Sequence, residues 1–139
     1  MKRIVMPSNK EYDNDPDISI GIKLPIQFGK TGFWDKTSTT LEQAEYNIKN
    51  LLLTKFGERF GHPDFGCELA SLNFEQLEED IMVKADEAIN DAVSKWLPYL
   101  NIIGIESKLN PSSNRLDISI TYSLKTDPTE SNNATVTYS

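Results

Sequence analysis

The sequence predicts an α+β fold: two long helices packed on a C-terminal antiparallel sheet of about three strands, with an extended N-terminal arm. Two observations carry most of this. Apolar residues recur at helical spacing over about residues 41 to 56 and again over about 76 to 97. The period then changes to two, and alternation dominates the rest of the chain.

Residues 1–17 carry Pro7, Pro16 and a polar run from Ser8 to Asp17, with neither period, and read as a flexible arm. Residues 18–139 read as one domain. Ile18, Ile20, Ile22, Leu24, Ile26 and Phe28 alternate, as in an extended segment laid along a surface. Pro25 cannot donate a ladder hydrogen bond, which argues against a central strand there.

Thr39 and Thr40 are each followed three residues later by Glu42 or Gln43, two overlapping capping boxes that place a helix start. Leu41, Ala44, Ile48, Leu51, Leu52 and Phe56 then form one apolar stripe, and Gly57 offers a left-handed stop. Residues 57–68 hold three glycines and a proline, which describes a loop of fixed shape. Its two aromatics, Phe60 and Phe65, are expected to anchor it to the core. Leu69, Leu72 and Phe74 suggest a short helical turn.

The second helix has a stripe through Leu77, Ile81, Ala85, Ala88, Ala92 and Trp96, flanked by Ile89 and Val93. Glu75, Glu78, Glu79 and Asp80 complement its N-terminal dipole, and Pro98 disfavours helical geometry at Leu97. Strand periodicity follows at Ile103, Ile105 and Leu109, then a turn over Asn110 to Asn114. Leu116, Ile118, Ile120, Tyr122 and Leu124 alternate with Asp117, Ser119, Thr121 and Ser123, so one face packs inward while the other meets water. Ala134, Val136 and Tyr138 read as a short terminal edge strand.

The 139 residues carry a formal charge of −7 and no cluster of Lys and Arg, which speaks against nucleic acid as a partner. No apolar run approaches the roughly 20 residues of a membrane span. The opening Met-Lys-Arg-Ile-Val-Met breaks at Pro7 before a signal-peptide core, so a cytoplasmic protein is expected. Cys67 is the single cysteine, which rules out an intrachain disulfide and reads as a small buried hydrophobe.

Candidate chemistry is sparse. Phe28-Gly-Lys-Thr-Gly32 lacks the earlier glycine of a phosphate loop, where Leu24 stands, and opens no helix. His62 is the sole histidine, too few for a zinc site, and no third group orients a Cys67–His62 pair. Glu58, Asp64, Glu68 and Glu75 cluster around the loop, and paired carboxylates serve glycoside hydrolysis, but in a chain with 21 acidic residues such a cluster arises easily. No catalytic, cofactor-binding, metal or small-molecule site is therefore expected. The feature that resists a purely internal reading is the edge. Ala134 to Tyr138 lacks the lysines and prolines that guard sheet edges, and an incoming strand would pair there through its main chain.

Leu52-Leu-Thr-Lys-Phe-Gly-Glu-Arg59, with Pro63-Asp-Phe-Gly-Cys67 and Phe74-Glu75, resembles the baseplate wedge proteins of contractile-tailed phages. That family is also labelled lysozyme-like and has TssE of type VI secretion as a cellular relative. Gly21 to Ile26 resembles the apolar arm of many members, so the likeness spans roughly residues 18–124. The resemblance implies a structural protein of the virion baseplate, assembled in the host cytoplasm. Its implied partners are inner wedge proteins and the tail sheath subunit, whose first ring it templates.

Many members carry Glu-Pro-Arg after the second helix, where this chain has Leu97-Pro98-Tyr99. An apolar or aromatic contact through Trp96 and Tyr99 is expected instead of an ion pair. Partner contacts are accordingly placed at Glu58, Arg59, Trp96, Pro98 and Tyr99 for wedge proteins. Ile118, Ile120, Tyr122, Val136 and Tyr138 are placed toward sheath. Two other readings stand beside this one: a wall-degrading hydrolase with Glu58 and Asp64 or Glu75 as its carboxylates, and the equivalent component of a bacterial secretion or injection system.

Overall fold

The computed structural model describes residues 19–30, 33–71 and 80–139. The expected boundary at residue 17, Ile18, Leu72, Phe74 and the acidic run from Glu75 to Glu79 lie outside them. The chain divides into two compact units, Met1–Tyr46 and Asn47–Ser139, with the division falling inside the first helix.

In the N-terminal unit, β1 (Gly21–Ile22) pairs antiparallel with β2 (Lys36–Thr37). The Lys23 amide donates to Asp35 O at 3.0 Å, and the Asp35 amide to Gln27 O at 2.9 Å. The Lys23 ammonium lies 2.9 Å from Glu42 and 3.8 Å from Asp35. Its hydrogen bond to Glu42 raises its pKa. The described part of the alternating arm segment is therefore folded on its own chain, and it buries little: Ile20, Ile22, Leu24 and Ile26 are each at least 40% exposed and Phe28 is 81% exposed. Phe28 and Trp34 stack on each other instead, and Phe33 meets both edge-on.

Helix α1 (Thr40–Leu53) starts where the capping residues place it. Thr39 Oγ1 accepts the Glu42 amide at 3.1 Å, which satisfies one orphan donor of the helix, and the Glu42 carboxylate reaches back to the Ser38 amide, just before the cap, at 3.3 Å. Ala44, Ile48, Leu51 and Leu52 are fully buried. The helix ends three residues before Phe56 because its next backbone groups turn to other partners. The Lys55 amide goes to the Glu58 carboxylate at 2.9 Å, and Thr54 O accepts the Cys67 amide at 3.0 Å. Phe56 is left 53% exposed beyond the stripe, and Gly57, in left-handed geometry at φ 79°, belongs to the following turn.

A 3-10 turn (Glu68–Ser71) leads out of the loop, and α2 (Asp80–Trp96) buries Ala85, Ile89, Ala92 and Val93. Its last residue is Trp96, as Pro98 requires. β3 (Leu100–Asn110), β4 (Arg115–Leu124) and β5 (Ser131–Tyr138) follow as an antiparallel sheet in the order β3-β4-β5. Leu116, Ile118, Ile120 and Tyr122 have no exposed surface; Ala134, Val136 and Tyr138 continue the same buried face on β5. Each such large apolar side chain contributes about 1.5–3 kcal/mol of burial, so this face is the principal core of the unit. Across the outward face Lys108 stands opposite Asp117, and Thr137 donates to Asp117 at 2.7 Å.

One strand departs from simple alternation. Ile102 faces Tyr122 and Gly104 faces Thr121, so Ile103 is an extra residue, a bulge. The bulge reverses the parity of β3: Ile105 stays opposite Ile120 on the core side, while Ile103 is turned out and 56% exposed.

Candidate functional site

The loop that follows α1 is held by its own backbone. The Gly57 amide donates to Pro63 O at 2.7 Å, His62 to Arg59 O at 3.3 Å and Phe65 to His62 O at 3.0 Å. Gly66, at φ 141°, lies so close to the backbone just after α1 that a Cβ there would meet Thr54 O at 2.5 Å. Only glycine tolerates both that dihedral and that approach.

With its backbone satisfied internally, the loop uses its two aromatics differently. Phe65 is half-buried, its ring 5.1 Å from Trp96, with the Arg59 guanidinium 4.0 Å over it. Phe60 corrects the expectation of a second anchor, because its side chain is wholly exposed. His62 also faces Trp96, at 6.1 Å, which makes Trp96 the post on which the loop leans.

Cys67 is fully buried, and burial pushes its thiol pKa up, away from a reactive thiolate. It is a small core residue. Glu58 spends one carboxylate oxygen on the Lys55 amide, and Asp64 lies 4.0 Å from the Lys95 ammonium. Glu75 lies outside the described residues. The hydrolase reading therefore finds Glu58 employed as a turn cap.

Between the loop and the last turns of α2 opens a cleft of about 160 Å3. Phe56, Ala88, Ala92 and Trp96 supply its apolar wall, and Asp64, Glu68, Asp91 and Lys95 its charged rim.

Of the residues expected to meet wedge partners, Glu58, Arg59 and Trp96 gather around this loop. Pro98 is exposed nearby in sequence. Tyr99 is half-buried, and its hydroxyl accepts a hydrogen bond from Asn47 Nδ2 at 2.9 Å, so it ties the start of β3 to α1. A substitution of Tyr99 would loosen the fold as well as any contact.

The residues expected to face sheath need correction. The side chains of Ile118, Ile120, Tyr122, Val136 and Tyr138 are all buried in the sheet's core face. β4 is moreover the central strand, paired on both sides, and offers no free backbone. What can accept a further strand is main chain alone, at the outer edges of β5 and β3. Sequence reasoning placed Phe60 in the core and did not single out Asp91 and Lys95. The i, i+4 spacing of Asp91 and Lys95 was the available clue to a charged helix face.

Comparison with known proteins follows the same lines. A profile of the family described as Baseplate wedge protein gp25 matches residues 39–129, from the cap of α1 to just before β5. The chain belongs to the gp25 baseplate wedge family. For this wedge-family chain, the match takes in both helices, the glycine loop and the first hairpin of the sheet. No curated protein matches it. Among solved structures, it is similar to a protein provisionally called a tail lysozyme from Geobacter sulfurreducens, with a TM-score of 0.65 and 22% identity. That similarity covers 73% of this chain and 92% of the other, and it is a likeness of fold. The fold of this wedge-family member is thus α+β, as its periodicities require.

Proposed function

We propose that this wedge-family protein binds inner wedge proteins through the loop and the C-terminal end of α2, and templates the first ring of the tail sheath by strand pairing at β5. Membership of the wedge family supports a structural role in a contractile-tail baseplate. Templating rests on one observation: β5 is eight residues long, is fixed by a buried inner face, and has a strand partner on one side only among the described residues. Its side chains from Asn133 to Tyr138 contain no lysine or proline. An added strand gains its affinity from main-chain hydrogen bonds, which needs a rigid edge and no exposed apolar side chains.

A deletion of residues 133–139 would remove Ala134, Val136 and Tyr138 from the core and so confound edge with fold. The paired substitution Thr135→Lys and Thr137→Lys acts at exposed positions and protects the edge by charge. Sheath assembly on particles carrying the variant should fail while wedge proteins still co-purify with it. Normal sheath on such particles would sink the templating role.

A further inference from the structure

The cleft beside Trp96 is not used by the sheet edge, and its chemistry is specific enough to name an occupant. At about 160 Å3 it is smaller than the roughly 300–1,000 Å3 of small-molecule sites. It has room for one side chain. Its apolar wall would suit an aliphatic residue, but covering the rim with one would strip water from the exposed Asp91 carboxylate, which takes no part in the contact between Asp64 and Lys95. A cation on an apolar stem meets both demands.

The cleft already handles a cation in this way. Lys95 runs along its rim with its ammonium 5.3 Å over the Trp96 ring and 4.0 Å from Asp64. Next to it, the Arg59 guanidinium stacks 4.0 Å over Phe65. Asp91 stands exposed one helical turn before Lys95, on the opposite side of the mouth from the loop. A planar guanidinium combines ring stacking with forked hydrogen bonding to a carboxylate, which an ammonium does not.

We propose that this cleft receives a single arginine side chain from an inner wedge protein, its stem against Ala88 and Ala92 and its guanidinium between Trp96 and Asp91. The proposal rests on the baseplate reading and gives its wedge contact a chemical identity. The net charge of −7 adds long-range attraction for a basic segment.

The test is association of the purified full chain with the wedge proteins encoded beside it, compared for wild type, Asp91→Glu and Asp91→Lys. Charge reversal should weaken binding at least about tenfold and flatten its salt dependence, while the Glu variant stays within about twofold and both keep the wild-type melting temperature. Arginine-to-glutamate substitution scanned through the wedge partner should then find one position that restores binding to Asp91→Lys. Equal binding by Asp91→Lys overturns the cleft assignment alone. Loss of a wild-type self-association in that variant would make the occupant an arginine of a second copy, Arg3, Arg59 or Arg115, and overturns it also. If wild type binds no wedge protein, the proposal falls together with the reading beneath it.

Discussion

The hydroxyl of Tyr138 donates a hydrogen bond to the carbonyl oxygen of Leu52 at 2.7 Å, joining the last strand of the sheet to the last turn of α1 across 86 positions of sequence. Leu52 O is one of the carbonyls that a helix leaves without an internal partner at its C-terminal end. The bond therefore fixes the place where α1 hands over to the loop. It also holds the edge strand against the end of α1, where the glycine loop begins.

Tyr138→Phe keeps the ring packed but removes this bond and leaves a buried carbonyl unpaired. Stability should fall by about 1–3 kcal/mol, read as a lower urea midpoint with unchanged slope. A midpoint equal to wild type would mean that water replaces the hydroxyl.

The same burial makes the protein sensitive to alkali. Removal from water pushes the Tyr138 hydroxyl far above its ordinary value of 10.0. The unfolded chain loses this proton near pH 10 while the folded chain keeps it. Folded Tyr138 thus contributes full stability below that pH and progressively less above it. Unfolding midpoints measured from about pH 9 to pH 11 should fall more steeply for wild type than for Tyr138→Phe.

Gly66→Ala tests the loop. The added methyl meets Thr54 O at 2.5 Å and imposes a side chain on a φ of 141°, so the loop must move. A loss of at least about 1–3 kcal/mol is expected, together with weaker wedge association, because Phe65 and Trp96 lose their register. Thermal unfolding and pull-down measure the two effects separately.

Phe60→Ser should separate them in the opposite sense. The ring touches little of its own chain, so stability should change by less than about 0.5 kcal/mol. Wedge binding should weaken by more than about 1 kcal/mol if the ring fills a partner pocket. Unchanged binding would remove Phe60 from the interface.

Where the sequence was legible, one physical cause dominated. Thr39 and Glu42 announce the start of α1 because a helix N-terminus needs those acceptors. Leu116 to Leu124 announce β4 because a half-buried strand has only one way to divide its residues. The bulge at Ile103 was hidden because Ile102, Ile103 and Ile105 satisfy either parity, and packing around Tyr122 and Ile120 decides between them. Phe60 and Phe65 looked alike as loop aromatics. The loop's backbone bonds hold it without Phe60, and that self-sufficiency is invisible in composition. The cleft was equally hidden: Asp64 and Asp91 lie far apart in sequence, and only the return of the loop along α2 sets both on the rim.

The assembly role itself is decided by what the protein holds on to. The full chain, tagged and expressed beside its native neighbours, should co-purify with wedge proteins in stoichiometric amounts, identified by mass spectrometry, and should recruit sheath subunits once the wedge is complete. Recovery of the chain alone from cells that make all of those neighbours would contradict the baseplate role.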